Sequence, residues 1–485
     1  MAIVRKLAYN VIFNSVLKVV STVILSLFLV RLITGYLGQD GFGKYATVLA
    51  FFSFFSAIGD LGLGQVTARE IAKEGADEKK ILGNIVGLRL ISSAILIIIA
   101  PAIIFFFEYS AEVKWGILIV ACASLFSSMS SVMNGIFQKR IAMDRVAMAE
   151  FVGKLIQVSL IALIVKFDLG FLPIVFSVLV ALAFNIVTVL IVSRRFVHFV
   201  PQFNLLFWKD FLKESLPMGA TAIITFAYFK TDTILLSLFQ TSADVGIYNV
   251  AYKIIENLVF FPAMLAGLIL PLLARYFISD KKKFREIANK TFKVFVIIVL
   301  PVVLGTFFLA KDIVHIISGP EFSASIPVLR ILVFSLACIF FGHFFNMILI
   351  VGHMQKKLMQ ALLFVAAFNI IFNLFIVSRY SYFGAATAAV LTEGLVVTLT
   401  GFLVYRNLHF FPQFAGIGKV LLSACGMALA LYFLSGAGAP FVVAGSVSLV
   451  VYAGLLWTTR AISSDEVMSL FSKGEDDLAE IPVSP

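Results

Sequence analysis

The chain has 485 residues, of which 61% are hydrophobic and 13% charged, and its mean hydropathy is +1.04. One water-facing core cannot hide that much apolar surface, so a soluble globular class is excluded and an all-α polytopic membrane protein is expected. The formal net charge of +11 falls mostly in short loops at one end of alternate apolar runs, an orientation signal and not a nucleic-acid footprint.

A helix rises about 1.5 Å per residue and the hydrocarbon layer is about 30 Å thick, so spans of about 20 residues are expected between polar breaks. About fourteen emerge. The first six run at about 11–33, 44–63, 81–107, 115–137, 147–166 and 171–193, and the next six at about 216–239, 246–273, 291–310, 326–351, 358–377 and 384–405. A final pair occupies about 417–435 and 441–458. Arg5-Lys6 precede the first run, which continues through Leu32 with no small-residue cleavage site, so it reads as a retained span and not a secretory signal. Cys122, Cys338 and Cys425 are isolated in apolar runs and read as small packing residues.

Basic residues set the expected orientation. Arg69, Lys73, Lys139, Arg140, Arg194, Arg195, Arg275, Lys281, Lys282, Lys356 and Lys357 fall on one side with others, whereas Lys44, Lys114, Lys166, Lys311 and Arg379 fall on the opposite side. An imbalance of roughly four to one places both termini in the cytoplasm. The expected organisation is an N-lobe over 1–193, a cytoplasmic amphipathic linker over 194–215 containing Phe203 to Trp208, and a C-lobe over 216–405. Two further spans lie within 406–458, and a cytoplasmic tail over 459–485, acidic from Ser463 and ending in Pro485, is expected to be disordered beyond one helical turn or two. Gly43-Lys44-Tyr45 opens a span closing on Ala68-Arg69, and Gly246-Ile247-Tyr248 opens one closing on Ala274-Arg275. That correspondence suggests a parallel repeat of six spans each, with a cavity between two lobes.

Gly38-Gln39-Asp40-Gly41-Phe42-Gly43-Lys44-Tyr45 fails as a phosphate-binding loop only at its last position, where Tyr45 replaces Ser or Thr. Its context, after a helix and on the outer side, fails too, so the glycines read as a tight turn between spans. Charges within the spans carry more information, because each costs roughly 2.5–3.5 kcal/mol at a helix centre on insertion scales. Lys18, Arg31, Arg89, Lys230 and Lys253 are candidates to bind an anionic head group partway across the bilayer. The alternative for Lys18, Arg31 and Arg89 is snorkelling to the interface, and for Lys253 with Glu256, three apart on one face, an intrahelical ion pair. Asp232, two residues from Lys230, points elsewhere on its helix, and Glu393 lacks a same-helix partner. Asp60, Asp232, Glu256 and Glu393 are the candidates to carry coupling protons or sodium ions; no other cofactor or metal is expected. The five histidines are scattered and no nucleophile motif stands out, so no enzyme is expected.

Several segments together resemble the polysaccharide-export branch of the multidrug, oligosaccharidyl-lipid and polysaccharide transporter superfamily, the flippases of lipid-linked O-antigen units. They are Leu37 to Tyr45, Asp60-Leu61-Gly62-Leu63-Gly64 followed by Arg69-Glu70-Ile71-Ala72, Asp232 to Leu236, Val245 to Ala251, and Ile317 to Phe322 leading to Val328 to Leu332. The resemblance implies two six-helix lobes around a V-shaped cavity plus two C-terminal helices. It also implies a bacterial cytoplasmic membrane and an undecaprenyl-pyrophosphate-linked oligosaccharide moved to the outer leaflet. A polysaccharide polymerase and a chain-length regulator are the partners it suggests. A cation-coupled multidrug exporter of the same superfamily and a membrane glycosyltransferase or polymerase stand as alternatives. The exporter needs an acidic or aromatic cavity, and the enzyme usually needs a large loop that this chain lacks.

Overall fold

The computed structural model describes residue 17, residues 20–414 and residues 416–461. Fifteen α-helices carry the fold, and the described residues contain no strand. They are α1 (Leu25–Asp60), α2 (Leu63–Ala72), α3 (Glu78–Phe105), α4 (Ala111–Lys139), α5 (Met143–Lys166), α6 (Phe171–Ser193), α7 (Leu205–Phe239) and α8 (Ser242–Leu258). There follow α9 (Phe260–Ser279), α10 (Lys281–Phe308), α11 (Ala310–Ser318), α12 (Ser325–Val351), α13 (Gln355–Leu408), α14 (Ile417–Gly436) and α15 (Phe441–Thr458). Among the described residues, 11 helical stretches are long and apolar enough to cross a membrane.

Two of those stretches are hairpins. Asn369 and Thr392 belong to α13, and a straight helix would hold them about 35 Å apart; instead the Asn369 amide donates to the Thr392 hydroxyl at 3.1 Å. The chain reverses at Ser381, whose φ of 48° and ψ of −133° leave the helical region. Its limbs match the expected spans over 358–377 and 384–405. In α1 the break is Gly38, at φ 64° and ψ −166°, a conformation that only glycine adopts at little cost. Ser26 and Ser53, on its two limbs, consequently line one cavity. Counting these limbs separately and adding α7 brings the crossings to about the fourteen expected.

Local signals place the helix starts. Asn204 caps α7 by accepting from the Leu206 and Phe207 amides, and Asp280 caps α10 through the Lys282 and Lys283 amides. Thr241 and Asp244 form a reciprocal capping box at the start of α8. Each such cap stabilises its helix by about 1 kcal/mol. From its cap α7 runs unbroken into the seventh span. Its first turns do not simply float on a membrane surface: Trp208 and Phe211 are buried, and the Trp208 indole donates to the Asn84 carbonyl at 2.8 Å.

Contacts sort the turns into two ends. At one, here the Gly38 end, Tyr36 donates to Asp168 at 2.6 Å, Lys44 pairs with Asp40 at 3.0 Å and Glu112 at 3.2 Å, and Gln39 donates to the Glu321 carbonyl. At the opposite, basic end, Lys139 donates to the Ile71 carbonyl at 2.7 Å and Arg285 to the His409 carbonyl at 3.1 Å. A small apolar core at the basic end, with Ile71, Leu82, Phe137 and Trp208, draws only on the first half and the start of α7. The larger core joins both halves, packing Val48, Val120 and Ile174 in one cluster with Tyr248, Phe322 and Leu329.

The joint between the halves is made by the two segments that suggested the repeat. A side chain on Gly43 would strike the Ser242 carbonyl, and one on Gly246 the Gln39 carbonyl. The second limb of α1 and the start of α8 therefore cross backbone to backbone at the Gly38 end, the close approach that small residues permit between membrane helices. Tyr45 and Tyr248, matching members of the two segments, are both buried beside this crossing.

Candidate functional site

Beneath that crossing, between the halves, lies a cavity of about 610 Å³. Both limbs of α1 with α4, α5 and α6 form one wall, and α7 and α8 form the other. Five charged side chains reach it: Glu150, Lys154, Lys230, Lys253 and Glu256. Lys230 comes from α7 and Lys253 from α8, and Glu256 bridges them, with Oε1 at 2.6 Å from Lys230 Nζ and Oε2 at 2.7 Å from Lys253 Nζ. The intrahelical Lys253–Glu256 pair is thus real, and the tertiary fold adds a second lysine to it. Lys230 also lies over the Tyr252 ring, 5.0 Å from its centroid, a cation–π contact that strengthens as water is excluded.

Opposite, on α5, Lys154 donates to Gln157 at 3.1 Å. Neither Lys154 nor Glu150 was among the sequence candidates, although both lie in the expected span over 147–166. The criterion that selected Lys230, a charge inside an apolar run, selects them equally well. Their four-residue spacing puts them on one helix face, and that signal was available.

The remaining sequence candidates go elsewhere. Arg89 does not line the cavity: it is fully buried, donates to the Gly59 carbonyl and pairs with Asp60 Oδ1 at 2.5 Å. Asp60 also accepts from Ser131 at 3.2 Å. Together they fasten α3 to the end of α1, where Leu61 and Gly62 both turn left-handed. Arg31 is exposed and lies against the Gly319 turn at the Gly38 end, outside the cavity wall. Lys18 lies outside the described residues.

Asp232 turns away from Lys230, as its two-residue offset implies, into a second cavity of about 280 Å³ within the C-terminal half. Glu393, Asn369, Thr392, Tyr252 and Glu256 also line it. The Asp232 carboxylate is buried and accepts from Tyr248 at 3.0 Å, Asn373 at 2.8 Å and Asn369 at 3.3 Å. Among the described residues, no donor reaches the side-chain oxygens of Asn369 or Asn373. No group of three or more His, Cys, Asp or Glu residues able to hold a metal ion occurs among the described residues.

Residues 7–277, more than half the sequence, match the family described as polysaccharide biosynthesis protein. The chain belongs to that family. Among curated relatives, the probable flippase AglR of Haloferax volcanii is 26% identical over 221 residues, which are 42% of this chain and 44% of AglR. The chain thus spans less than half the length of that relative. Among solved structures, the lipid II flippase MurJ in an inward closed conformation superposes with a TM-score of 0.76 at 16% identity, covering 92% of this chain and 98% of MurJ. An inward-facing multidrug resistance transporter of the MATE family, from the MOP superfamily, gives a TM-score of 0.63 at 19% identity, over 82% of this chain and 97% of that one. This member of the family therefore has the fold of those two transporters, with its lysines gathered between its two halves.

Proposed function

We propose that this protein is a flippase for a lipid-linked oligosaccharide, joined through pyrophosphate to an undecaprenyl-type lipid, which it carries from the cytoplasmic to the outer leaflet. The observation that carries this reading is the convergence of Lys154, Lys230 and Lys253 on one cavity between two halves of a membrane protein. Phosphates are costly to place in hydrocarbon, and ammonium donors replace their lost hydration. Glu256 gives Lys230 and Lys253 an anion to hold at rest, so an incoming phosphate exchanges with a carboxylate and two buried cations are never left facing each other. The prenyl chain stays in lipid while the halves rock about the Gly43–Gly246 crossing. The basic end faces the cytoplasm of a bacterial cell by the positive-inside rule, with both termini on that side. The relatives named flippases support the direction of this reading.

Asp232 is the coupling residue in this scheme. The free oxygens of Asn369 and Asn373 beside its buried carboxylate fit a small cation such as sodium, or a proton on the carboxylate itself. Carboxylates in excess of lysines would favour an exporter of organic cations, whereas the central cavity has three lysines to two glutamates. The protein acts as a transporter and not as a glycosyltransferase.

Translocation by the purified chain in liposomes, read with a prenyl-pyrophosphate-linked oligosaccharide, tests the scheme. Replacing all three lysines (Lys154→Gln, Lys230→Gln, Lys253→Gln) should cut the rate about tenfold or more; unchanged transport by a folded triple variant would sink the binding role. Asp232→Asn should abolish the response to a sodium or proton gradient while leaving ligand binding intact.

A further inference from the structure

Beside the lysines, the first-half wall of the cavity carries a second, uncharged chemistry that the flippase reading leaves unused. On α4, Ser127, Ser130, Ser131 and Asn134 fall at i, i+3, i+4 and i+7, one face of a helix, and all four line the cavity. Gln157 of α5 and Asn185 of α6 extend the same surface.

Small polar residues in membrane helices commonly serve packing, and α4 has such residues too. Ser124 and Ser128 are buried and spend their hydroxyls on their own helix, on the Ala121 carbonyl at 2.7 Å and the Leu125 carbonyl at 3.0 Å. The cavity-facing set behaves differently. Ser130 donates to Asn185 Oδ1 at 2.9 Å, and Ser131 reaches Asp60. That bond orients the Asn185 amide and leaves its Nδ2 without a partner among the described residues, although Asn185 is only 7% exposed. Asn134 Oδ1 is likewise unpartnered there. One wall thus offers a free buried donor and a free buried acceptor, and such groups are costly to leave unsatisfied.

The chemistry of that surface favours a ligand other than a phosphate or an organic cation. A phosphate wants donors alone, and an organic cation wants carboxylates or ring faces. Hydroxyls and amides that both donate and accept match the hydroxyl and acetamido groups of a neutral sugar. Gln157 sits one turn from Lys154 and is bonded to it, so this surface adjoins the lysine cluster where the first sugar after a pyrophosphate would lie.

We infer that the α4 stripe, with Asn185 and Gln157, is a saccharide subsite that reads the reducing-end sugar of the lipid-linked substrate. The inference rests on the flippase reading and gives it a substrate class: a neutral hexose or N-acetylhexosamine directly behind the pyrophosphate. The subsite discriminates by leaving Asn134 and Asn185 unsatisfied when no matching sugar arrives.

The test uses the full chain in nanodiscs and four probes: a prenyl pyrophosphate without sugar, and the same lipid bearing one glucose, one galactose or one N-acetylglucosamine. The intact protein should bind at least one sugar-bearing probe about tenfold tighter than the bare lipid. Asn134→Leu combined with Asn185→Leu should erase that preference and leave the bare-lipid affinity unchanged, which also shows that the variant is folded. Equal affinity of the intact protein for all four probes overturns the subsite, and so does an equal loss for bare and sugar-bearing lipids in the double variant, which marks the stripe as structural. Failure of the flippase reading looks different: the triple lysine variant then binds every probe as well as the intact protein does, whatever the sugar preference.

Discussion

Arg89 and Lys230 are both cations inside apolar spans, and sequence alone ranks them together. The fold treats them in opposite ways. Arg89 is 0% exposed, held by one carboxylate and one backbone carbonyl at the bend that ends α1. Lys230 is 19% exposed and shares Glu256, itself 33% exposed, with the 34% exposed Lys253. In the first cluster one acid answers one base, and the guanidinium is out of reach of an added anion. In the second, two bases share one acid at the wall of a cavity, so an added anion finds unspent positive charge. An intramembrane charge marks a ligand site when its partners are too few and its head group can be reached; otherwise it is a fastener.

The largest expected effect separates those two roles by stability. Arg89→Ala leaves the Asp60 carboxylate, a quarter exposed, and the Gly59 carbonyl without their donor, and should cost about 1.5–3 kcal/mol, read as a marked drop of the thermal midpoint in detergent. Replacing the pair by Arg89→Leu with Asp60→Leu should recover much of that loss, and failure to recover it would show that Arg89 does more than fasten. Lys230→Gln is the counterpart. Lys253 still satisfies Glu256, so stability should fall by only about 1 kcal/mol, while affinity for a bare prenyl pyrophosphate drops several-fold. A Lys230→Gln protein as unstable as Arg89→Ala would erase the distinction.

The smallest effect belongs to the basic end. Lys73, 2.5 Å away, and Arg69, 3.0 Å away, hold the Glu70 carboxyl below the usual carboxylate range. Its folded pKa is therefore below its unfolded value, so its contribution is complete above the ordinary carboxyl value of 4.5 and fades as pH falls through the folded pKa. Glu70→Gln should lower the thermal midpoint slightly at pH 7 and flatten the acid limb of the pH–stability curve. An identical acid limb in the variant would remove Glu70 from the balance. Salt at neutral pH should shrink the difference between the two proteins, because the pairs are partly exposed.

Much of the architecture was legible beforehand because hydropathy reports burial in lipid directly. The two limbs of α13 lie over the expected spans despite being one continuous run of helical residues, since the polar break around Ser381 is visible in the sequence. The correspondence of Gly43-Lys44-Tyr45 with Gly246-Ile247-Tyr248 was also visible, though not that the two would touch. The site was less legible. Lys253 and Glu256 declare their pairing through helical spacing, but the arrival of Lys230 from α7 is a long-range event that no local pattern encodes. The serine stripe of α4 is not marked by charge, and neutral polar residues in membrane helices serve packing as readily as binding, even at ideal helical spacing.

What the sequence by itself determined is the class of the protein and the course of its spans: apolar runs of sufficient length must cross a membrane as helices, because backbone polar groups have no other way to be satisfied in hydrocarbon. Which charges meet was decided only by the tertiary structure. Helix rotation and crossing depend on close packing between distant segments, and that packing sent Arg89 into a buried pairing with Asp60, Asp232 into a second cavity, and three lysines from three helices to one space between the two halves.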